Sequence, residues 1–264
     1  WKIKMIVDEF IENPKHVSVF SNPENYWPDY LALLHLLLIK HGEKKYHMTG
    51  SGTKSAKNIC SLAEKLGLKW RLVRGTHFFE YQKQAVSIPQ NVLDVFSNAL
   101  DTQRAEELVI AKDEATLDKL DDFVFSHSNN GKILEYSECC INWFVNNQSS
   151  GWEEVYEFII ERSPEGINSP AEQLAETMYQ NHESDHVRTS KKRIDKILVN
   201  HIAESRNTMP FIFFQPCDVC IGPSSPSRKL NEKYANFAKE KFPQLYKKII
   251  DEGKKDAKVG DRVS

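Results

Sequence analysis

No stretch of this chain is apolar for long enough to cross a bilayer, which takes about 20 residues. The longest apolar run covers 31–39, is interrupted by His35, and reads as a buried core helix. No sign of charge dominates: 35 Lys and Arg stand against 37 Asp and Glu. Net charge therefore gives no argument for nucleic-acid binding, although a local basic face stays open. Glycine and proline number 11 each in 264 residues, which excludes a low-complexity chain. Cysteine is scarce and odd in number, with two of the five residues adjacent. A secreted disulfide framework usually has an even count at wider spacing. The expectation is a reducing, cytoplasmic setting, where clustered thiols mean metal or chemistry. The sequence opens on Trp1 rather than Met and is silent on any leader ahead of it.

What is present has a rhythm. The length suits one large domain or two small ones. Strand-like runs at 16–20, 45–48 and 69–73 alternate with helical patterns at 29–41 and 59–66. Ile59, Leu62, Ala63 and Leu66 recur at helical spacing, and Gly67 is placed to end that helix. A further strand is expected at 78–81. This alternation predicts an α/β fold with a small, mainly parallel sheet. From Pro89 onward the pattern is largely helical, with helices expected near 92–96, 117–124, 138–145, 152–160, 171–180, 190–205 and 227–251. A turn is expected at 126–131, and a strand-like run at 211–214 leads into Cys217. The division expected is an α/β subdomain over 1–88 and a mostly helical part over 89–264.

The sharpest feature is four cysteines in two segments, Cys139-Cys140 and Cys217-Asp218-Val219-Cys220. Ser137 and Glu138 suit the cap and first turn of a helix. Both Cys139 and Cys140 then lie where exposed N–H groups favour thiolate. Successive helical residues point about 100° apart, so the two need not play one role. Cys217-x-x-Cys220 before Gly222-Pro223 presents two sulfurs to one metal. Together the segments supply up to four thiolates, the number a closed zinc or iron–sulfur site requires. Cys139, Cys217 and Cys220 are the expected ligands, with Cys140 a fourth ligand or a reactive thiol. The bland alternative is ordinary buried thiols, and Cys60, beside Ile59 and Leu62, fits that description best. An adjacent pair plus a Cys-x-x-Cys departs from zinc-ribbon spacing, so a cluster with one open iron fits at least as well.

The run Lys132-Ile133-Leu134-Glu135-Tyr136-Ser137-Glu138-Cys139-Cys140-Ile141-Asn142-Trp143-Phe144 resembles the Gly-Tyr-Pro-x-Cys-Cys-x-x-x-Phe stretch of a prokaryotic family, domain of unknown function 483. That family also carries a later Pro-Cys segment with a second cysteine and a Ser-containing helix. Phe214-Gln215-Pro216-Cys217-Asp218-Val219-Cys220 and the segment 224–230 are similar to it. The resemblance spans roughly 78–246. Glu135 stands in place of the motif's Gly, and Ser137 in place of its Pro. The resemblance implies that the two cysteine segments belong together and supplies no activity.

Other motifs compete. His182-Glu183-Ser184-Asp185-His186 matches the zincin pattern, with Glu183 as base and Glu204 as a third ligand. Its polar flanks, Gln180, Asn181 and Arg188, argue for a solvated helix end instead. Pro216-Cys217-x-x-Cys220 is also half of a zinc-deaminase signature, but the upstream His-x-Glu is missing. Ser51, Gly52, Thr53, Lys54 and Ser55 lie between a strand and a helix, where backbone N–H groups can cradle an anion. Thr53 separates Gly52 from Lys54, so this is not a Walker loop. Arg71, Arg74 and His77 follow the third strand, either adding charge near that edge or simply solvated.

Combined, these features predict a protein with a cysteine-ligated zinc or iron–sulfur site, acting on a small phosphorylated or nucleotide-like ligand without a membrane partner. Two alternatives stand beside it: a structural zinc or packing module without catalysis, and a zinc metallopeptidase through His182, Glu183 and His186.

Overall fold

The computed structural model describes residues 2–12, 29–50, 54–74, 89–90, 106–123, 125, 127–146, 207–213 and 216–263. Helix α1, Lys2–Glu12, turns Val7 and Phe10 inward. Helix α2, Asp29–His41, is apolar all round, and every residue from Leu31 to Ile39 is buried. A helix without a polar face has to be enclosed. Here it packs against strand β1 (Tyr46–Gly50), helix α3 (Lys54–Lys65) and two C-terminal helices. Ile59, Leu62, Ala63 and Leu66 face this core as their spacing requires. Gly67 ends the helical run with φ +70°, a conformation that costs glycine nothing. Strand β2, Lys69–Arg74, follows.

The sheet corrects the expected fold class. Among the described residues the chain is mostly helical, and the sheet has three antiparallel strands in the order β1-β3-β2. Both pairings are made by β3, Glu106–Ala111, which lies between the other two. β1 and β2 do run in one direction, as the strand–helix–strand rhythm suggests, but they are not neighbours. Leu108, Val109, Ile110 and Ala111 are all fully buried, because a central strand is covered on both faces. Such a continuous apolar run carries no alternation and resembles a buried helical segment. His47 and Ile110 face the α2–α3 side, while Met48 and Val109 face a second core with Leu117, Leu120 and Phe125.

After β3 comes the segment with a helix expected near 117–124. It forms a single turn, α4 (Glu114–Leu117), capped by the Asp113 side chain, and then a 3-10 turn, Asp118–Leu120. Arg71 on β2 pairs with Asp118, Asp121 and Glu114 along this segment, so its charge is already matched. The turn expected at 126–131 is instead part of helix α5, His127–Ile133. Helix α6 covers 138–146. A methyl group on Gly131 would approach Ile141 Cγ1 to 2.6 Å, so glycine is what lets α5 and α6 close on each other. Gly131→Ala is expected to lower the unfolding free energy by about 1–3 kcal/mol, the range for overpacking. Denaturant titration checks this, and combined with Ile141→Ala the loss should be smaller than the sum of the two single changes, because the truncated side chain no longer meets the new methyl group.

The apolar run expected as a strand at 211–214 is a turn over its described part, in which Ile212 N–H donates to Met209 O at 3.5 Å. Phe211 and Ile212 are apolar because they plug the α2 core. A one-turn helix, α7 (Asp218–Ile221), follows. The single helix expected over 227–251 is two, α8 (Pro226–Lys241) and α9 (Pro243–Val263). Pro243 has no N–H to continue the ladder, but it suits the first turn of the next helix. Among the described residues, no helix is long and apolar enough to cross a membrane. The expected strands at 16–20 and 78–81 lie outside the described residues, as do the helices near 92–96 and within 152–205.

Candidate metal centre

Two helix starts and one helix turn converge. Ser137 precedes α6, and its carbonyl accepts from the N–H groups of Cys140 and Ile141. That fixes Cys139 and Cys140 in the first turn. Cys217 occupies the N-cap of α7 with extended backbone, and its carbonyl accepts from Cys220 and Ile221. Ser225 caps α8 by accepting from Arg228 N–H, and its own hydroxyl donates to the Cys220 carbonyl at 2.6 Å. The Arg228 guanidinium donates to the carbonyls of Ile221 and Thr208, holding the α7 turn against α8. Ser225→Ala removes a cap and a bond to the cysteine turn together. Its expected cost is about 1–2 kcal/mol, readable as a lowered melting temperature.

The four sulfurs of Cys139, Cys140, Cys217 and Cys220 all lie within 4.8 Å of one another. Cys140, Cys217 and Cys220 are buried, and Trp143 packs against them. Cys139 is exposed. Its sulfur is 3.3 Å from that of Cys220 and 3.4 Å from the Ser137 hydroxyl. The Cys217 N–H donates to the Cys140 sulfur at 3.2 Å, and the Ser227 hydroxyl lies 3.4 Å from the same atom. Residues adjacent on a helix reach one site because the Cys217–Cys220 turn sits over the helix end. Ser137, expected to cap α6 with its side chain, turns its hydroxyl to the sulfurs of Cys139 and Cys220 instead. Cys60 lies apart on α3, half-buried against the main core.

The electrostatics are uneven. Burial pushes the Cys217 thiol up to about 12, reinforced by the charge of Cys140. Burial also raises Cys140. Burial acts the same way on Cys220, but hydrogen bonds from Ser227, Ser137, Cys139 and Cys140 outweigh it and bring that thiol down to about 6. The protein's own groups thus favour one thiolate, and further thiolates at this range repel it. A cation is what allows four to coexist, and this donor set suits a thiophilic one.

Beside the centre lies a buried polar network that the sequence did not announce. Lys44 is 3% exposed, and its ammonium donates to His35 Nδ1 at 3.1 Å. His35 Nε2 lies 3.2 Å from the Phe211 carbonyl, which only accepts, so that nitrogen carries the proton. Tyr234, on α8, donates to Glu135 at 3.1 Å and offers its ring face to Lys44. Glu135 stands just ahead of Ser137 with φ +68°. Burial lowers Lys44 to about 8, with Glu135 pulling the other way. Burial and then the Lys44 charge push His47 down to about 3, and His47 Nε2 has no hydrogen-bond partner among the described residues.

Of the other expected site residues, Lys54 and Ser55 open α3, while Ser51, Gly52 and Thr53 lie outside the described residues. His182, Glu183 and His186 lie outside them as well. The class the structure defines is a mostly helical protein whose clustered cysteines can hold a metal ion. Comparisons with family models, with curated proteins and with solved structures find no match to this chain.

Proposed function

We propose that Cys139, Cys140, Cys217 and Cys220 hold a single zinc ion that fastens the start of α6 to the α7–α8 segment. The observation that carries this reading is the mutual spacing of the sulfurs, none more than 4.8 Å apart. A tetrahedral zinc with bonds of about 2.3 Å sets its four sulfurs about 3.8 Å apart. An iron–sulfur cluster distributes its thiolates over different irons, which adds the iron–iron separation to that distance. The spacing therefore favours one ion over a cluster. Four sulfurs also close the coordination sphere, and closed sites are the structural kind. The structural zinc module thus ranks above the iron–sulfur enzyme as an account of these cysteines.

The resemblance to domain of unknown function 483 gives this reading secondary support. The motif has Gly where this chain has Glu135, and Glu135 adopts the left-handed backbone that favours glycine. The two cysteine segments that the resemblance joins also come together here.

Elemental analysis and an absorption spectrum of anaerobically purified protein test the proposal. The expected result is a colourless protein with one zinc per chain. Iron with acid-labile sulfide and visible charge-transfer bands would restore the cluster. A folded, metal-free protein would remove both.

A further inference from the structure

The four sulfurs are not equally placed. Cys140, Cys217 and Cys220 are 2%, 4% and 1% exposed, whereas Cys139 is open to solvent. An oxidant arriving from water meets one sulfur first. That sulfur already lies 3.3 Å from Cys220, a buried partner that can capture an oxidised neighbour. Redox-responsive cysteines share this arrangement, an accessible thiolate poised beside a resolving one.

From this geometry we infer that Cys139 is an oxidation site for hydroperoxides, and that its disulfide with Cys220 releases the metal. The inference rests on the zinc reading of the same cysteines. The Cys139 thiolate attacks one peroxide oxygen. The O–O bond breaks, an S–O bond forms, and the second oxygen leaves as hydroxide or alkoxide. The Cys220 thiolate then attacks the resulting sulfenic sulfur. An S–S bond forms, and the sulfenic oxygen leaves as hydroxide. Two protons from solvent neutralise the two leaving groups. The two thiolates have given two electrons to one hydroperoxide, which ends as water and an alcohol, or as two waters from hydrogen peroxide. Zinc keeps only Cys140 and Cys217, too few for a closed site. The new bond joins α6 to α7 in its place, so the oxidised chain loses the ion and keeps the tether.

Hydrogen peroxide added to metal-loaded protein tests this, with released zinc read by a chromogenic chelator and linkages mapped by mass spectrometry without reduction. The expected result is release of close to one equivalent, a Cys139–Cys220 linkage, and recovery with dithiothreitol and zinc. Cys60→Ser should release zinc at the same rate as the parent chain. Zinc retained under peroxide, or released through a linkage lacking Cys139, overturns the inference and leaves the zinc reading standing. A chain that carries no zinc before peroxide is added overturns the zinc reading, and the inference falls with it.

Discussion

Replacing Cys217 with Ser is expected to abolish stoichiometric metal binding and to lower the unfolding free energy by several kcal/mol, on the order of 4. Cys217 is 4% exposed, occupies the N-cap position of α7 without a side-chain capping bond, and sends its N–H to the Cys140 sulfur. Serine is well suited to the N-cap position but replaces a thiolate with a poor ligand for a thiophilic ion. Binding energies of about 10–16 kcal/mol in zinc-finger peptides appear there as folding energy. A smaller share is expected here, because the α2 core includes no cysteine ligand and keeps its own packing. The damage should be local to α6, α7 and the start of α8. Chelation of the parent chain should reproduce the loss, and Cys217→Ser should be insensitive to chelator. If these cysteines merely pack, the substitution costs about 1 kcal/mol and zinc changes nothing. Denaturant titrations with and without zinc separate the two outcomes, and Cys60→Ser serves as the silent control.

The second large effect depends on pH. Lys44 titrates near 8 in the fold against 10.5 in an open chain, chiefly because it is buried. Above 10.5 it is neutral in both states and carries no penalty. Below about 8 it is charged in both, and the buried charge costs its full amount. The unfolded chain binds more protons between these limits, so the Lys44 contribution rises with pH across that window, by about 3 kcal/mol. His35, His47, Tyr234 and Glu135 surround it. Tyr234 is raised by burial and by Glu135, so its own contribution falls at high pH. The clean observable is therefore a difference. Stability of the metal-loaded parent minus that of Lys44→Met should climb by about 3 kcal/mol from pH 7.5 to 10.5. Parallel curves for the two chains would show that Lys44 titrates normally.

The site was more legible in the sequence than the fold. Cys217-x-x-Cys220 and the Ser137-Glu138 helix start are local signals, and local geometry brings their sulfurs to one place. What the sequence left open was the division of labour. Cys140 looked like the doubtful member, yet the structure buries it and leaves Cys139 exposed. The helical phase separates two adjacent residues without saying which one meets the neighbouring segment. Ser227 carried no sign of a sulfur contact, because its partner lies 87 positions away. The fold failed at β3. Leu108, Val109 and Ile110 are a short apolar run within a stretch of helical pattern, and only the tertiary position of a central strand explains them. Without β3, β1 and β2 are naturally read as parallel neighbours. The apolar residues Phe211 and Ile212 misled in the opposite direction, since burial in a turn has the same composition as burial in a strand. Lys44 had no signal at all, because a lysine in a short polar loop is ordinarily solvated.

The measurement that bears most directly on the central claim is X-ray absorption at the metal edge of the protein as purified. The expected result is zinc with a single shell of four sulfurs at about 2.3 Å and no metal–metal scattering. A shell that mixes sulfur with oxygen or nitrogen, or a metal–metal distance, would contradict a closed site built from Cys139, Cys140, Cys217 and Cys220.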